Sequence, residues 1–337
     1  MNNKSEKDKF KEKLDFLMKQ PKRLLLIDTF YFLHRSFHAF PQDFQTSKGE
    51  PTGMVYGFTQ VLLNSILDLS PTHIACGWES EELPSFRKEL YAEYQATRIP
   101  AEPEAEKLFW DQVPRIEQII EAFNIPRIWS NGFEGDDVLG TMAYKGAEQS
   151  AYVIISTADQ DMLQLINDKV FVFRPAKPPF VRKTIFDKET FIEKYGFEPK
   201  QMIDYKALRG DPSDNIPGVK GIGDKTAKKL LKQFKSIEEI YENLDKIEKE
   251  SVKKKLIEHK EDAFLSKQLA TIITNIPLDF NLDACEVHDF NVEKVRKLFE
   301  ELEFKSLMSK LEKLENRKII YDKLNGNSKK NDQLSMF

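Results

Sequence analysis

Four acidic clusters in this chain stand at the ends of short apolar runs: RLLLID ends at Asp28, FEGDD surrounds Asp136, IISTADQD ends at Asp161, and GDPSDN surrounds Asp211. A hard divalent cation such as Mg²⁺ takes oxygen ligands, so a site holding two of them for phosphate chemistry needs many carboxylates converging in one cleft. Carboxylates packed that closely repel one another unless a cation neutralises them. Any one of these residues alone would be an ordinary solvated loop acid. The set reads differently because of what precedes each member.

The runs 24–27, 74–76 and 153–155 are short, apolar and bounded by turn-formers, the pattern of buried parallel strands. Between Arg23 and Asp204 they alternate with helical patterns such as Gly53–Leu69 and Asp136–Gln149, which predicts an α/β fold with a mainly parallel sheet covered on both faces. In such sheets ligands sit outside the carboxyl ends of the strands, where these acids fall.

The remaining segments divide the chain further. Residues 1–21 form an extension with a short amphipathic helix, Phe10, Leu14, Leu17 and Met18 on one face, stopped by Pro21. The α/β unit spans 22–204. Inside it, from about 80 to 105, a polar segment carries Arg87, Lys88 and Arg98 with Phe86, Tyr91 and Tyr94, too apolar for a free linker and too long for a plain turn. Residues 205–282 turn helical around GVKGIGDKTAKKLLKQF, where Gly221 and Gly223 make a tight hairpin opening a helix rich in lysine: Lys225, Lys228, Lys229 and Lys232. A free helix start followed by lysines suits a phosphate backbone. A helical segment at 283–315 and a polar, mobile tail at 316–337 complete the division.

Composition bounds the class. With 337 residues, 40% apolar and 31% charged, the chain predicts about two globular domains. Its net charge of -4 argues against bulk capture of nucleic acid, yet it averages an acidic cleft with basic surfaces. Only Cys76 and Cys285 are present, which excludes a disulfide framework or zinc ribbon and fits a reducing cytoplasm. The histidines show no ligand spacing. No stretch has signal-peptide or membrane-span character, so a cytoplasmic monomer is expected.

Taken together, LLIDTFYFLHRSFHAF, TSKGEPTGMVYGF, PSFRKELYAEYQATR, FEGDDVLGTMA, ISTADQDMLQL, ALRGDPSDNIPGVKGIGDKTAKKLL and LSKQLATIITNIPL resemble, in order from Arg23 to Leu311, the 5′ nuclease domain of bacterial DNA polymerase I, a relative of the flap endonucleases. No polymerase sequence follows, so the resemblance is to a free-standing nuclease. It implies an α/β (PIN-like) nuclease domain with a helical arch and a helix-hairpin-helix element. By motif, Asp28, Glu134, Asp136 and Asp137 match a first metal group, and Asp159, Asp161, Asp211 and Asp214 a second, for two Mg²⁺ or Mn²⁺ ions. Lys220, Gly221, Gly223, Lys225, Thr226, Lys228 and Lys229 fall on the element that grips duplex DNA and, in the family, often holds K⁺ through backbone carbonyls. Arg35, Arg87 and Arg98 match basic positions that meet substrate phosphates or the displaced strand.

Four positions depart from the family pattern. Thr29 stands for a glycine and Gln160 for a lysine. Glu79, after a one-residue insertion before Pro84, stands for a ligand aspartate and keeps the carboxylate on a longer stem. Gln95 replaces the arch lysine that stabilises charge at the scissile phosphate, so Lys88 or Arg98 would have to supply that cation. The expected function is structure-dependent, two-metal hydrolysis near DNA 5′ ends, at flaps and RNA-primed fragments. A fold-retaining DNA-binding protein with weak cleavage and a small-molecule phosphohydrolase are the alternatives. Last, QLSMF (Gln333, Leu334, Ser335, Met336, Phe337) resembles the short motif by which bacterial replication and repair proteins bind the sliding clamp, an apolar plug on a polar leader.

Overall fold

The computed structural model describes residues 5–80, 85–97, 102–176, 181–287 and 290–324, with side chains of the last helix as far as Arg317. In chain order the strands are β1 (Arg23–Asp28), β2 (His73–Gly77), β3 (Arg127–Ile128), β4 (Tyr152–Ser156), β5 (Val170–Arg174) and β6 (Thr184–Phe186). The helices are α1 (Glu6–Met18), α2 (Thr29–Phe37), α3 (Gly53–Leu69), α4 (Phe86–Leu90), α5 (Pro103–Ala122), α6 (Gly135–Glu148), α7 (Lys188–Tyr195) and α8 (Met202–Arg209), then α9 (Asp224–Gln233), α10 (Ile237–Glu242), α11 (Glu250–Glu258), α12 (Lys260–Ala270), α13 (Val292–Glu301) and α14 (Lys305–Leu324).

The sheet order is β3-β2-β1-β4-β5-β6, parallel except for β6. β1 is buried on both faces, and its side chains alternate between them. Leu24 and Leu26 pack with Val153, Ile155 and the α6 residues Val138, Leu139 and Met142. Leu25 and Ile27 pack with Ile154, α3 residues Phe58 and Leu62, and α5 residues Ile116 and Ile120. Strand order reverses between β1 and β4, which leaves a crevice at their carboxyl ends. The α6 face is continuous with the helical unit, because Tyr205, Leu208, Leu230 and Leu256 belong to the same apolar cluster. The opposite face is closed by α13 and α14 through Phe299, Leu307 and Leu311.

Two terminal expectations change. In α1, Leu17 is fully buried and Phe10 reaches Phe173, but Met18 at the last position stays 42% exposed. The helix is held instead by Phe16 edge-on to Tyr152 and by ion pairs from Lys9 to Glu193 and Lys13 to Asp187. The expected tail from 316 is helical as far as Leu324: Leu307, Leu311 and Leu314 anchor α14, and no proline or glycine interrupts it before Gly326. Among the described residues, no helix is long and apolar enough to cross a membrane.

Between α8 and α9 the backbone folds back on itself. Asp211 and Ile216 exchange backbone hydrogen bonds at 2.9 Å, and Gly210 and Gly218 lie back to back at φ +75° and +62°. A Cβ on Gly218 would stand 2.6 Å from the Gly210 Cα, with no flexible side chain to yield. Gly218→Ala is therefore expected to destabilise the fold by about 3 kcal/mol or more, measured by denaturant unfolding; a loss comparable to an ordinary surface change would contradict this packing.

Candidate metal centre

Asp28 ends β1 and caps α2, accepting from the Tyr31 N–H at 3.4 Å and the Thr157 hydroxyl at 2.6 Å. Glu134 caps α6, so two helix N-termini point at the acidic cluster. Glu79 follows β2, and its stem lies against Gly135, where an added Cβ would meet the Glu79 Cγ at 3.3 Å. After β4 the chain turns tightly: Asp159 N–H donates to the Thr157 Oγ1 at 2.9 Å and Asp161 N–H to the Asp159 carboxylate at 2.8 Å. Asp211 and Asp214 enter from the loop after α8, and carboxylate oxygens of Asp161, Asp211 and Asp214 lie within 4.8 Å of one another.

The electrostatics are those of buried, crowded carboxylates. Burial, followed by the neighbouring Asp159 and Glu79 charges, pushes Asp28 up to about 7 against the Thr157 hydrogen bond. Burial and then Asp159, Asp28, Asp161 and Glu134 hold Asp136 well above the carboxylate range. Asp161 rises to about 7, mainly by burial, despite Lys206. These mutual influences place Asp28, Glu79, Glu134, Asp136, Asp159, Asp161, Asp211 and Asp214 in one electrostatic neighbourhood. An all-oxygen donor set of this kind fits hard divalent ions.

Among the described residues a lysine lies inside the cluster, and the sequence reading did not single it out. Lys206 of α8, 6% exposed, contacts the Asp161 carboxylate and donates to Asp211 at 2.6 Å. Burial pushes Asp211 up, but Lys206 and Ser213 outweigh it and leave its carboxyl below the usual range. The available signal was a lysine set among Tyr205, Ala207 and Leu208, where an unpaired charge would be costly.

Asp137 points away from the cluster, and Arg87 touches only its edge, with a terminal nitrogen 3.5 Å from the Glu134 carboxylate. Asp137 is fully buried, and its carboxylate accepts both terminal nitrogens of Arg87 at 2.8 Å, the Ile273 N–H at 2.8 Å and the Glu134 N–H at 3.3 Å. Arg87, 2% exposed, also donates to the carbonyls of Leu269 at 2.8 Å and Thr271 at 2.7 Å. Its donors are spent internally, so a phosphate cannot be its partner; the pair ties α4, α6 and the end of α12 together.

The arch segment is laced to the acidic loop. Gln95, at φ +59°, donates its N–H to the Asp214 carbonyl at 2.9 Å and its side-chain amide to the Asp214 carboxylate at 3.4 Å. Asn215 donates to the Glu93 carbonyl at 2.6 Å, and Tyr94 places its hydroxyl 3.2 Å from Glu134. Lys88 is exposed and Arg98 lies outside the described residues. Thr29 is buried beside Asp28, and Gln160 accepts from the Tyr195 hydroxyl at 3.3 Å. Arg35 donates to the Ala176 carbonyl at 3.2 Å. At the hairpin Gly221 has φ +83° and Gly223 caps α9; Lys220, Lys225 and Lys229 are exposed, Thr226 is half-buried, and Lys228 pairs with Asp224 at 2.7 Å.

A family model described as 5′-3′ exonuclease, N-terminal resolvase-like domain, matches residues 23–196, and one described as 5′-3′ exonuclease, C-terminal SAM fold, matches 197–293. The chain belongs to the 5′-3′ exonuclease family. The two exonuclease models meet ahead of α8, whereas a boundary at Asp204 would cut that helix. DNA polymerase I of Caldicellulosiruptor bescii is 40% identical over 291 residues, 86% of this chain, and that of Bacillus subtilis is 38% identical over 300 residues, 87% of this chain. The chain spans 33% of the length of each of these relatives. Among solved structures, bacteriophage T5 5′-exonuclease with bound zinc superposes with a TM-score of 0.61 at 20% identity, over 83% of this chain and 98% of that one. The catalytic core of Rad2 in complex with DNA substrate gives 0.56 at 15% identity, over 86% of this chain and 89% of that one. These likenesses agree with the mainly parallel sheet and helical second unit.

The raised carboxyls make the metal-free stability pH-dependent. A folded-state pKa of about 7 against 3.8 means that Asp28 and Asp161 contribute stability that is complete below 3.8 and lost as pH rises through about 7. The Tm of the metal-free protein is expected to fall from about pH 5 to about pH 8, and Asp28→Asn with Asp161→Asn to flatten that fall. Parallel profiles for the two proteins would contradict it.

Proposed function

We propose that this chain hydrolyses DNA phosphodiesters near 5′ ends, at flaps, nicks and RNA-primed fragments, with two Mg²⁺ or Mn²⁺ ions. The observation that carries the reading is the convergence of eight carboxylates at the crevice where strand order reverses, with Lys206 as the cation found among them. In this reading Asp28, Glu79, Glu134 and Asp136 hold one ion, and Asp159, Asp161, Asp211 and Asp214 the other. When bound, the ions supply a polarised water and charge neutralisation at the scissile phosphate.

The protein's own residues orient that set. Thr157 aims Asp28, Lys206 bridges Asp161 and Asp211 against their mutual repulsion, and the buried Arg87–Asp137 pair fixes α6 so that Glu134 and Asp136 face inward. Exposed Lys220, Lys225 and Lys229 with the α9 N-terminus meet the duplex backbone. Arg35 and Arg98 remain the basic groups for the strand near the arch. Gln95, held by Asp214, brings no positive charge, which favours slower turnover than a lysine would give.

Asp136→Ala and Asp161→Ala are each expected to lower Mg²⁺-dependent cleavage of a 5′-flap duplex by at least about 10²-fold, while binding of the same DNA in Ca²⁺ persists. Undiminished cleavage in both variants would end the mechanism. Gln333–Phe337, which lie outside the described residues, are proposed to bind the sliding clamp, the preceding polar stretch acting as a tether. A labelled peptide of residues 325–337 should bind the organism's clamp saturably and lose binding on Leu334→Ala with Phe337→Ala; an intact peptide that does not bind would retire this partner.

A further inference from the structure

The resemblance implies a K⁺ ion held by backbone carbonyls of the hairpin, and the hairpin of this chain does not fit one. Gly221, at φ +83°, presents its carbonyl to the Lys255 ammonium of α11, which donates to it at 2.9 Å. The contact is more than a chance surface hydrogen bond, because the lysine stem lies along the hairpin itself. A Cβ on Gly221 would meet the Lys255 Nζ at 2.6 Å, Cε at 2.9 Å and Cδ at 3.4 Å. The left-handed backbone favours glycine at position 221, and the lysine side chain runs through the space beside it.

Two of the neighbouring carbonyls accept backbone bonds as well. Val219 accepts from the Ile222 N–H at 2.9 Å, and Gly223 accepts from Thr226 at 3.1 Å and Ala227 at 3.0 Å. A monovalent ion needs several carbonyl oxygens turned to one point, and here the Gly221 oxygen is taken by a group that already carries a full positive charge. That group is delivered from a fixed base. Leu256, the next residue, is fully buried, and its carbonyl accepts from the Tyr241 hydroxyl at 2.9 Å. An ammonium has three N–H donors, so the bond to Gly221 leaves two for a phosphate oxygen.

We infer that Lys255 serves as the hairpin's built-in monovalent cation, and that this chain grips duplex DNA without K⁺. The inference rests on the reading that the hairpin contacts duplex. It predicts that affinity follows total ionic strength and not the identity of the monovalent ion.

The test is anisotropy of a labelled 5′-flap duplex with the full chain in Ca²⁺, in chloride salts of K⁺, Li⁺ and tetramethylammonium at equal ionic strength. Wild-type affinity is expected to agree across the three salts within about twofold. Lys255→Met, which keeps the apolar stem against Gly221, is expected to bind about tenfold more weakly in Li⁺ and tetramethylammonium, the equivalent of one charge-assisted hydrogen bond, and to recover in K⁺. Wild-type binding that requires K⁺ would overturn the inference, and that arm needs no variant. So would a Lys255→Met protein of unchanged melting temperature that binds equally in all three salts. A Lys225→Ala, Lys228→Ala protein that keeps the wild-type salt slope would instead strike the hairpin reading beneath it.

Discussion

Mutual repulsion among carboxylates is the constraint that organises this molecule. Eight acids gathered at the ends of neighbouring strands destabilise the chain that gathers them, and burial, which lifts Asp28 and Asp161 to about 7, sharpens the conflict. The surrounding structure offsets it piecemeal. Two helix N-termini face the cluster, Thr157 donates to Asp28, and Lys206 is interposed between Asp161 and Asp211. The negative charge left over suits a hard cation.

The buried Arg87–Asp137 pair solves a different problem. The site draws its acids from a strand end, a helix start and a loop of the helical unit, and these must keep one relative placement. A guanidinium with partners on α6 and at 269–271 fixes that placement by hydrogen-bond geometry, which apolar packing alone specifies less sharply. Removing either partner would leave a buried charge without compensation, a loss of about 3–5 kcal/mol.

The strands, their parallel order and the gathering of the acids were legible because each signal is local: a buried apolar run, a turn-former, an aspartate. Asp137 was misread for the same reason. Its place beside Asp136 in FEGDD gives no hint that successive helix residues point about 100° apart, one toward the crevice and the other toward Arg87. Lys206 and Lys255 went unnoticed because their partners lie across tertiary contacts, to Asp161 and to Gly221, that no spacing in the sequence encodes. The helicity of 316–324 was missed because polar composition suggested a mobile tail, although polar residues do not by themselves end a helix.

The apolar cluster that joins β1 and β4 to α6 runs without a break into Tyr205, Leu230 and Leu256 of the helical unit. Two units that share one close-packed core cannot swing about a hinge without opening voids. The separation between the acidic crevice and the α9 hairpin is therefore set by the fold, and the pair behaves as a caliper with locked jaws. Under the proposed reading, any bending needed to touch both points at once comes from the nucleic acid, and the ease with which a duplex deforms at a nick or junction becomes part of the selection.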